Sequence, residues 1–121
     1  EGRAQPTATR WFTDKFANDP QNAVTMKKIT NMISSTKLDG FLGCSGALKT
    51  IDYHGRIEKI KAPTLFISGA EDPAAGPHEM APLLDMLPGT KMHVVPDAGH
   101  IANMENADNF NSALTGFLNS L

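Results

Sequence analysis

Residues 63–73, Pro-Thr-Leu-Phe-Ile-Ser-Gly-Ala-Glu-Asp-Pro, place a short apolar run between a proline and a glycine. Continuous apolarity from Thr64 to Ile67, rather than alternation, is typical of a strand buried on both faces of a parallel sheet. A loop that carries an acid, Asp72, follows at once. This stretch therefore predicts a sheet strand with a titratable group at its carboxyl end.

A second unit of this kind lies further along the chain. Residues 91–95, Lys-Met-His-Val-Val, predict another strand, and the predicted loop 96–103 behind it contains Gly99 and His100. Apolar residues at helical spacing indicate two amphipathic helices: Met80, Leu83, Leu84 and Leu87, then Phe110, Leu114, Phe117 and Leu118. The order β-loop-α-β-loop-α from residue 63 onward predicts an α/β fold with a parallel sheet. A parallel sheet of only two strands leaves its edges unpaired and cannot have both faces covered. We therefore expect further strands from outside this sequence.

The first part of the chain, residues 1–50, predicts helices only. Aromatic residues in segment 6–16 fall at helical spacing, and Asp19 followed by Pro20 is typical of a capped helix start. An amphipathic helix of roughly four turns is expected next, and residues 38–51 form a helical segment rich in glycine and other small residues. The character of the sequence therefore changes near residue 50, from an all-helical part to an α/β part.

The composition is that of an ordinary soluble domain of 121 residues, with 40% hydrophobic and 20% charged residues. Its net charge of −2, from 11 basic and 13 acidic residues without a basic cluster, argues against nucleic acid as a partner. No apolar stretch approaches the roughly 18 residues of a membrane span, and a single cysteine, Cys44, favours a cytoplasmic setting. No zinc site is expected, because three histidines lack metal-ligand spacing with each other and with Cys44: His54, His78 and His93.

The two loops behind the strands are where chemistry is expected, because ligands gather at the carboxyl ends of parallel strands. An acid after one strand and a histidine after the next, Asp72 and His100, is the order that a hydrolase triad uses. The carboxylate fixes the imidazole tautomer while the ring takes a proton from a nucleophile. Glu71 is the main competitor for the acid, and Asp97 is a weaker one in the loop of the histidine itself. Purely structural roles remain possible for Asp72 and His100: Asp72 as a cap of its turn, and His100 as a partner of a backbone hydrogen bond.

Five stretches form a set that points to one superfamily: Arg10-Trp11-Phe12-Thr13, Gly40-Phe41 through Cys44, Ala47-Leu48 to Asp52, Pro63 to Gly69 with Asp72, and Gly99-His100 with Asn103 and Glu105. With these residues the chain resembles the C-terminal part of an α/β-hydrolase. Within that superfamily it is similar to the 3-oxoadipate enol-lactone hydrolases, over roughly residues 8 to 119.

This resemblance implies a helical cap, or lid, inserted into a hydrolase core, with residues 1–50 as part of the cap and residues 51–121 as the C-terminal part of the core. It also implies a Ser-Asp-His triad in which Asp72 and His100 are the acid and the histidine, and no metal or organic cofactor. Trp11 is implied as a wall of the substrate pocket, with an ordinary core aromatic as the alternative. The expected reaction is hydrolysis of a small carboxylic ester or lactone, by resemblance 3-oxoadipate enol-lactone.

The nucleophile of such a triad is not in this sequence. No Gly-x-Ser-x-Gly elbow occurs, and the nearest stretch, Gly43-Cys44-Ser45-Gly46, lies in a predicted helix rather than in a strand-to-helix turn. The serine is therefore expected in an N-terminal part of the same hydrolase, and the isolated chain is expected to be inactive. The alternative is a catalytically inactive module or fragment that pairs with a second copy through exposed sheet edges.

Overall fold

The structure is a computed structural model that describes residues 4–53 and 55–121, so that His54 lies outside the described residues. Seven helices and two strands are described: α1 (Ala4–Arg10), α2 (Asp14–Asn18), α3 (Ala23–Ser34), α4 (Leu38–Thr50), β1 (Leu65–Gly69), α5 (Pro77–Met86), β2 (Lys91–Val95), α6 (Ala102–Glu105) and α7 (Ala107–Leu118). Single 3-10 turns lie at Pro20–Asn22 and Ile57–Lys59.

The segment predicted as one helix from residue 6 to residue 16 is two helices with a corner between them. The prediction was wrong because α1 ends at Arg10 and Thr13 caps a new helix: its hydroxyl accepts a hydrogen bond from the Phe16 N–H at 3.2 Å. Such a cap satisfies a backbone donor that the first turn of a helix leaves unpaired. The cap predicted at Asp19 is present, since this side chain accepts from the Gln21 N–H at 2.9 Å and precedes Pro20 in the first position of the 3-10 turn.

The helical part has a core of its own, where α1 packs against α3. Ala8, Phe12 and Ile29 are buried at its centre, and the Phe12 ring stacks on the Phe16 ring at 4.8 Å. Partly buried neighbours complete this cluster: Trp11, Phe16, Ala17, Met26, Ile33 and Ile101. The presence of Ile101 means that the helical core reaches the loop that carries His100.

The two strands pair in parallel, with Leu65 opposite Lys91 and Gly69 opposite Val95. The second strand has the predicted bounds, and the first extends from Leu65 through Gly69. Helices α5 and α7 pack on the pair, and a second core of Val95, Ala98 and Ala102 forms at the carboxyl end of β2. Both predicted loops therefore leave the sheet at the carboxyl ends of its strands. The second loop is shorter than predicted, because α6 begins at Ala102.

Helix α4 has no extensive packing partner among the described elements, and none of its residues is buried. Its large apolar side chains are more than half exposed: Leu38, Phe41, Leu42 and Leu48. Within the described residues no helix is long and apolar enough to cross a membrane.

The helical core, the sheet and the histidine loop meet at two glycines. A Cβ atom at Gly69 would overlap the carbonyl oxygens of Ala98 and Gly99, and one at Gly99 would lie 3.0 Å from the Trp11 carbonyl oxygen. The Ile101 N–H donates to that same Trp11 oxygen at 3.1 Å. Backbone thus lies directly on backbone here, and at Gly69 the distance is one that only a residue without a side chain permits.

The Gly69 contact generates a stability prediction. We expect Gly69→Ala to lower the free energy of unfolding by about 1–3 kcal/mol or more, since the added methyl group forces the histidine loop away. Gly43→Ala is the matched control, because a Cβ atom there meets nothing within 4 Å. In this helix the control should raise stability by up to about 1 kcal/mol. Urea unfolding measures both, and equal stability of the two variants would contradict the packing described here.

Candidate active site

The side chains of Asp72 and His100 lie together at the carboxyl ends of the two strands. The His100 Nδ1 atom is 2.9 Å from the Asp72 Oδ2 atom. Because a carboxylate can only accept, the ring donates from Nδ1, which makes Nε2 the acceptor nitrogen of the neutral imidazole. The Asp72 side chain is 5% exposed and the His100 side chain 38% exposed. The pair therefore has one covered partner and one that faces outward.

The loop after β1 is folded so that its carboxylate points at the histidine. Ser68 is buried, and its hydroxyl donates to the Ala75 carbonyl oxygen at 2.7 Å, which closes the loop over its own start. The Ala74 N–H donates to the Asp72 Oδ1 atom at 2.9 Å. One carboxylate oxygen is thus held by the loop, and the other is left for His100.

These contacts change the acidity of Asp72. Burial acts to raise the pKa of this carboxyl group, because it disfavours the charged form. Hydrogen bonds from the Ala74 N–H, the His100 ring and the Ala75 N–H, with the attraction of His100, act in the opposite direction and together outweigh burial. The pKa of Asp72 therefore lies below its ordinary value of 3.8, and the group is ionised at neutral pH.

The other two candidate acids do not reach the histidine. Glu71 is exposed, and its described hydrogen bond is made by its backbone N–H, which donates to the Ala98 carbonyl oxygen at 2.9 Å. Asp97 is exposed and has a φ of +49°, the left-handed conformation of a tight turn. Among the described residues only Asp72 hydrogen-bonds to the His100 ring.

Trp11 lies beside the pair, at the corner between α1 and α2. Its ring centre is 6.3 Å from that of His100, with the planes tilted by 40°. The Trp11 side chain also packs against the helical core. An open cleft of about 620 Å³ extends from Arg10 past Thr13 to Glu71 and Pro73, and neither Asp72 nor His100 lines it.

Glu105, which pattern and spacing alone did not single out, joins the two halves of the site. Its Oε1 atom accepts hydrogen bonds from the N–H of Thr13, at 3.0 Å, and from the Thr13 hydroxyl. Its Oε2 atom accepts from the Gly99 N–H at 2.8 Å. The only signal in the sequence is its place in the stretch of the resemblance that follows His100.

Other groups considered from the sequence stand apart from this site. Ser45 lies in the middle of α4, not at a strand-to-helix turn. The His93 Nε2 atom forms a hydrogen bond of 2.7 Å with the Asn109 Oδ1 atom, and His78 is exposed. Across the described ranges there is no group of three or more His, Cys, Asp or Glu residues that could hold a metal ion.

Known proteins share this fold. The profile of the family described as "alpha/beta hydrolase fold" matches residues 1–107, and the chain belongs to this family. It is similar to the 3-oxoadipate enol-lactonase 2 of Acinetobacter baylyi, with 32% identity over 111 residues, 92% of this chain and 40% of that protein. Among solved structures, the enol-lactonase from Burkholderia xenovorans matches 98% of this chain and 44% of its own, with 30% identity and a TM-score of 0.89.

A thermophilic esterase from Thermogutta terrifontis also matches 98% of the chain and 43% of its own, at 26% identity and a TM-score of 0.83. The predicted fold, the C-terminal portion of an α/β-hydrolase, is confirmed. The chain spans about 40% of the length of the first curated relatives it matches.

The lowered pKa of Asp72 generates a prediction about acid stability. A pKa lower in the folded than in the unfolded chain means that Asp72 contributes stability that is fully present above the ordinary value of 3.8. This contribution is lost as the pH falls from there through the folded pKa. We therefore expect the unfolding free energy of Asp72→Asn to decline less steeply with acid than that of the wild type. Urea unfolding from pH 5 downward measures this, and equal slopes would contradict it.

Proposed function

We propose that this chain supplies the acid, Asp72, and the histidine, His100, of a Ser-His-Asp triad in a hydrolase of carboxylic esters or lactones. The observation that carries the proposal is the hydrogen bond of 2.9 Å between Asp72 and His100 Nδ1, made at the carboxyl ends of adjacent parallel strands. Membership of the α/β-hydrolase family and the similarity to enol-lactonases support the same reaction class.

In this mechanism His100 is the general base and then the general acid. Its Nε2 atom takes the proton of a serine hydroxyl as that oxygen attacks the ester carbonyl carbon, and gives it to the leaving alcohol or enol oxygen as the C–O bond breaks. In the second half of the reaction a water molecule attacks the acyl carbon while His100 takes one of its protons. His100 then gives this proton to the serine oxygen as the bond between serine and the acyl group breaks. The ionised Asp72 holds Nδ1–H and stabilises the imidazolium that forms in both steps.

The serine and the oxyanion hole are proposed to lie in an N-terminal part of the same hydrolase. A complete hydrolase domain of ~250 or more residues leaves about 130 to 150 residues outside this chain. The exposed apolar face of α4 and the two-stranded sheet provide surfaces on which such a part could pack. Within the whole protein, residues 1–50 are proposed to belong to the cap and residues 51–121 to the core.

The proposed substrate class is taken from the relatives. We take 3-oxoadipate enol-lactone as the first substrate to test, because the Acinetobacter baylyi proteins that the chain matches are 3-oxoadipate enol-lactonases. Trp11, at 6.3 Å from the His100 ring, is proposed to form a wall of the pocket that receives the acyl group.

The test begins with the coding sequence upstream of Glu1, which should encode a Gly-x-Ser-x-Gly elbow. The complete protein should then hydrolyse 3-oxoadipate enol-lactone or p-nitrophenyl acetate. Asp72→Asn should lower kcat roughly 10⁴-fold, because it removes the anion that fixes the ring. His100→Ala should lower kcat on the order of 10⁶-fold.

Matched controls are Asp97→Asn and Glu71→Gln, which neutralise the two acids that do not bond to His100, and both should keep activity near the wild-type level. The 121-residue chain alone should give only the background rate, since the nucleophile is absent. A complete protein without a serine elbow, or one in which Asp72→Asn retains full activity, would refute the proposed triad.

The alternative function, a module that pairs with a second copy, is favoured by one observation, the exposed apolar face of α4. Native mass spectrometry of the purified chain separates the two. A stable pair of identical chains would favour the self-pairing module. A monomer that forms a complex with the upstream part would favour the proposal that the two are parts of one hydrolase.

The proposed role of Trp11 has a test of its own. We expect Trp11→Ala in the complete protein to raise KM for the lactone by roughly 10-fold or more, since it removes apolar contact area on the order of 150–250 Å². Trp11→Phe keeps an aromatic wall and should have a smaller effect. If both variants bind substrate as the wild type does, Trp11 is an ordinary core residue of the helical part.

A further inference from the structure

We propose that Glu105 is a positioning residue for His100, which holds the histidine loop against the Trp11–Thr13 corner. This inference rests on the proposed function, because the value of a fixed histidine lies in the triad. Glu105 touches neither the His100 ring nor any reacting atom, and it acts through the backbone on which the ring is carried.

The geometry ties the residues on both sides of His100 to the helical part of the chain. On one side the Gly99 N–H donates to Glu105, whose other oxygen accepts from Thr13. On the other side the Ile101 N–H donates to the Trp11 carbonyl oxygen at 3.1 Å. His100 is therefore held between two anchored peptide groups, and one of these anchors depends on a single carboxylate.

The side chain at position 105 must accept hydrogen bonds at both of its terminal atoms. Three donors converge on the side chain, the two N–H groups of Thr13 and Gly99 and the Thr13 hydroxyl. Thr13 and Gly99 are buried, so an N–H left without a partner there costs about 1–3 kcal/mol. A glutamine keeps the shape of the side chain but replaces one acceptor by an NH₂ donor, which must face either Thr13 or Gly99.

The same carboxylate links the histidine loop to the aromatic residue beside it. The Thr13 hydroxyl caps α2 by accepting from the Phe16 N–H and donates its own proton to Glu105. The start of α2, and with it the corner that carries Trp11, is thus fixed relative to Gly99. A single side chain sets both the backbone beside the base and the backbone beside the proposed pocket wall.

The experiment compares Glu105→Gln with Glu58→Gln, a matched change at an exposed carboxylate. In the 121-residue chain, hydrogen exchange of the Gly99 amide should accelerate by ~10-fold or more in Glu105→Gln, because local opening is no longer opposed by its acceptor. The ¹⁵N signals of the His100 ring should lose the signature of a protonated Nδ1 held by Asp72. Glu58→Gln should change neither, and Asp72→Asn shows the ring signals of a broken pair.

In the complete protein, Glu105→Gln should lower kcat by roughly 10- to 100-fold, since a base displaced by about 1 Å loses its alignment. KM should rise by less than kcat falls, because no substrate contact is removed and Trp11 is affected only through its backbone. Rates are taken well below the melting temperature of each variant, so that the folded fraction stays equal. If Glu105→Gln does not fold, Thr13→Val, which removes the hydroxyl that donates to Glu105 and accepts from the Phe16 N–H, should shift Gly99 exchange and kcat in the same direction by less.

The outcomes separate the two proposals. Unchanged Gly99 exchange and unchanged ring signals in Glu105→Gln, with an active wild type, would overturn the positioning role and leave the triad standing. A perturbed ring together with a complete wild-type protein that hydrolyses no probe would overturn the proposed function instead. A fall in kcat matched by an equal rise in KM also counts against positioning.

Discussion

The structure depends on the close contact of three backbones around residues 98 and 99. On one side the carbonyl groups of Ala98 and Gly99 lie against Gly69, and on the other side Gly99 lies against the Trp11–Phe12 backbone. Backbone can pack on backbone at this distance only where side chains are absent or point away. The contact brings the end of β1, the histidine loop and the helical part to one point. The Asp72–His100 pair and its Trp11 neighbour exist because these three segments meet.

Two carboxylates serve this junction in different ways. Asp72 is covered, and its hydrogen bonds to the loop and to His100 outweigh the effect of burial on its pKa. Glu105 makes no described hydrogen bond to the His100 ring, and its two oxygens accept hydrogen bonds from backbone N–H groups and a hydroxyl. Charge-assisted hydrogen bonds are stronger than neutral ones, so both groups stabilise what they hold. One orients the imidazole and the other orients the chain that carries it.

The sequence was sufficient for the sheet and the order of its elements, because strands and amphipathic helices have periodic patterns of a few residues. It was insufficient at Thr13, where a local side-chain cap interrupts helical spacing that the aromatic residues continue. It was also insufficient for Glu105, which lies 92 residues from Thr13 along the chain. No spacing rule reaches so far. The sequence was sufficient to bring Asp72 and His100 to the same end of the sheet, because each lies directly behind a recognisable strand.

Helix α4 departs from the usual relation between apolar sequence and burial. The side chains of Leu38 and Leu48 are 68% and 71% exposed, although a folded chain gains about 25 cal/mol for each Å² of apolar surface removed from water. A contiguous apolar face of this kind is typical of a surface that another part of a protein covers. The proposed triad has the same character, since a histidine held by an acid needs a nucleophile to act on. Both features support the proposed N-terminal part, which would cover the helix and supply the serine.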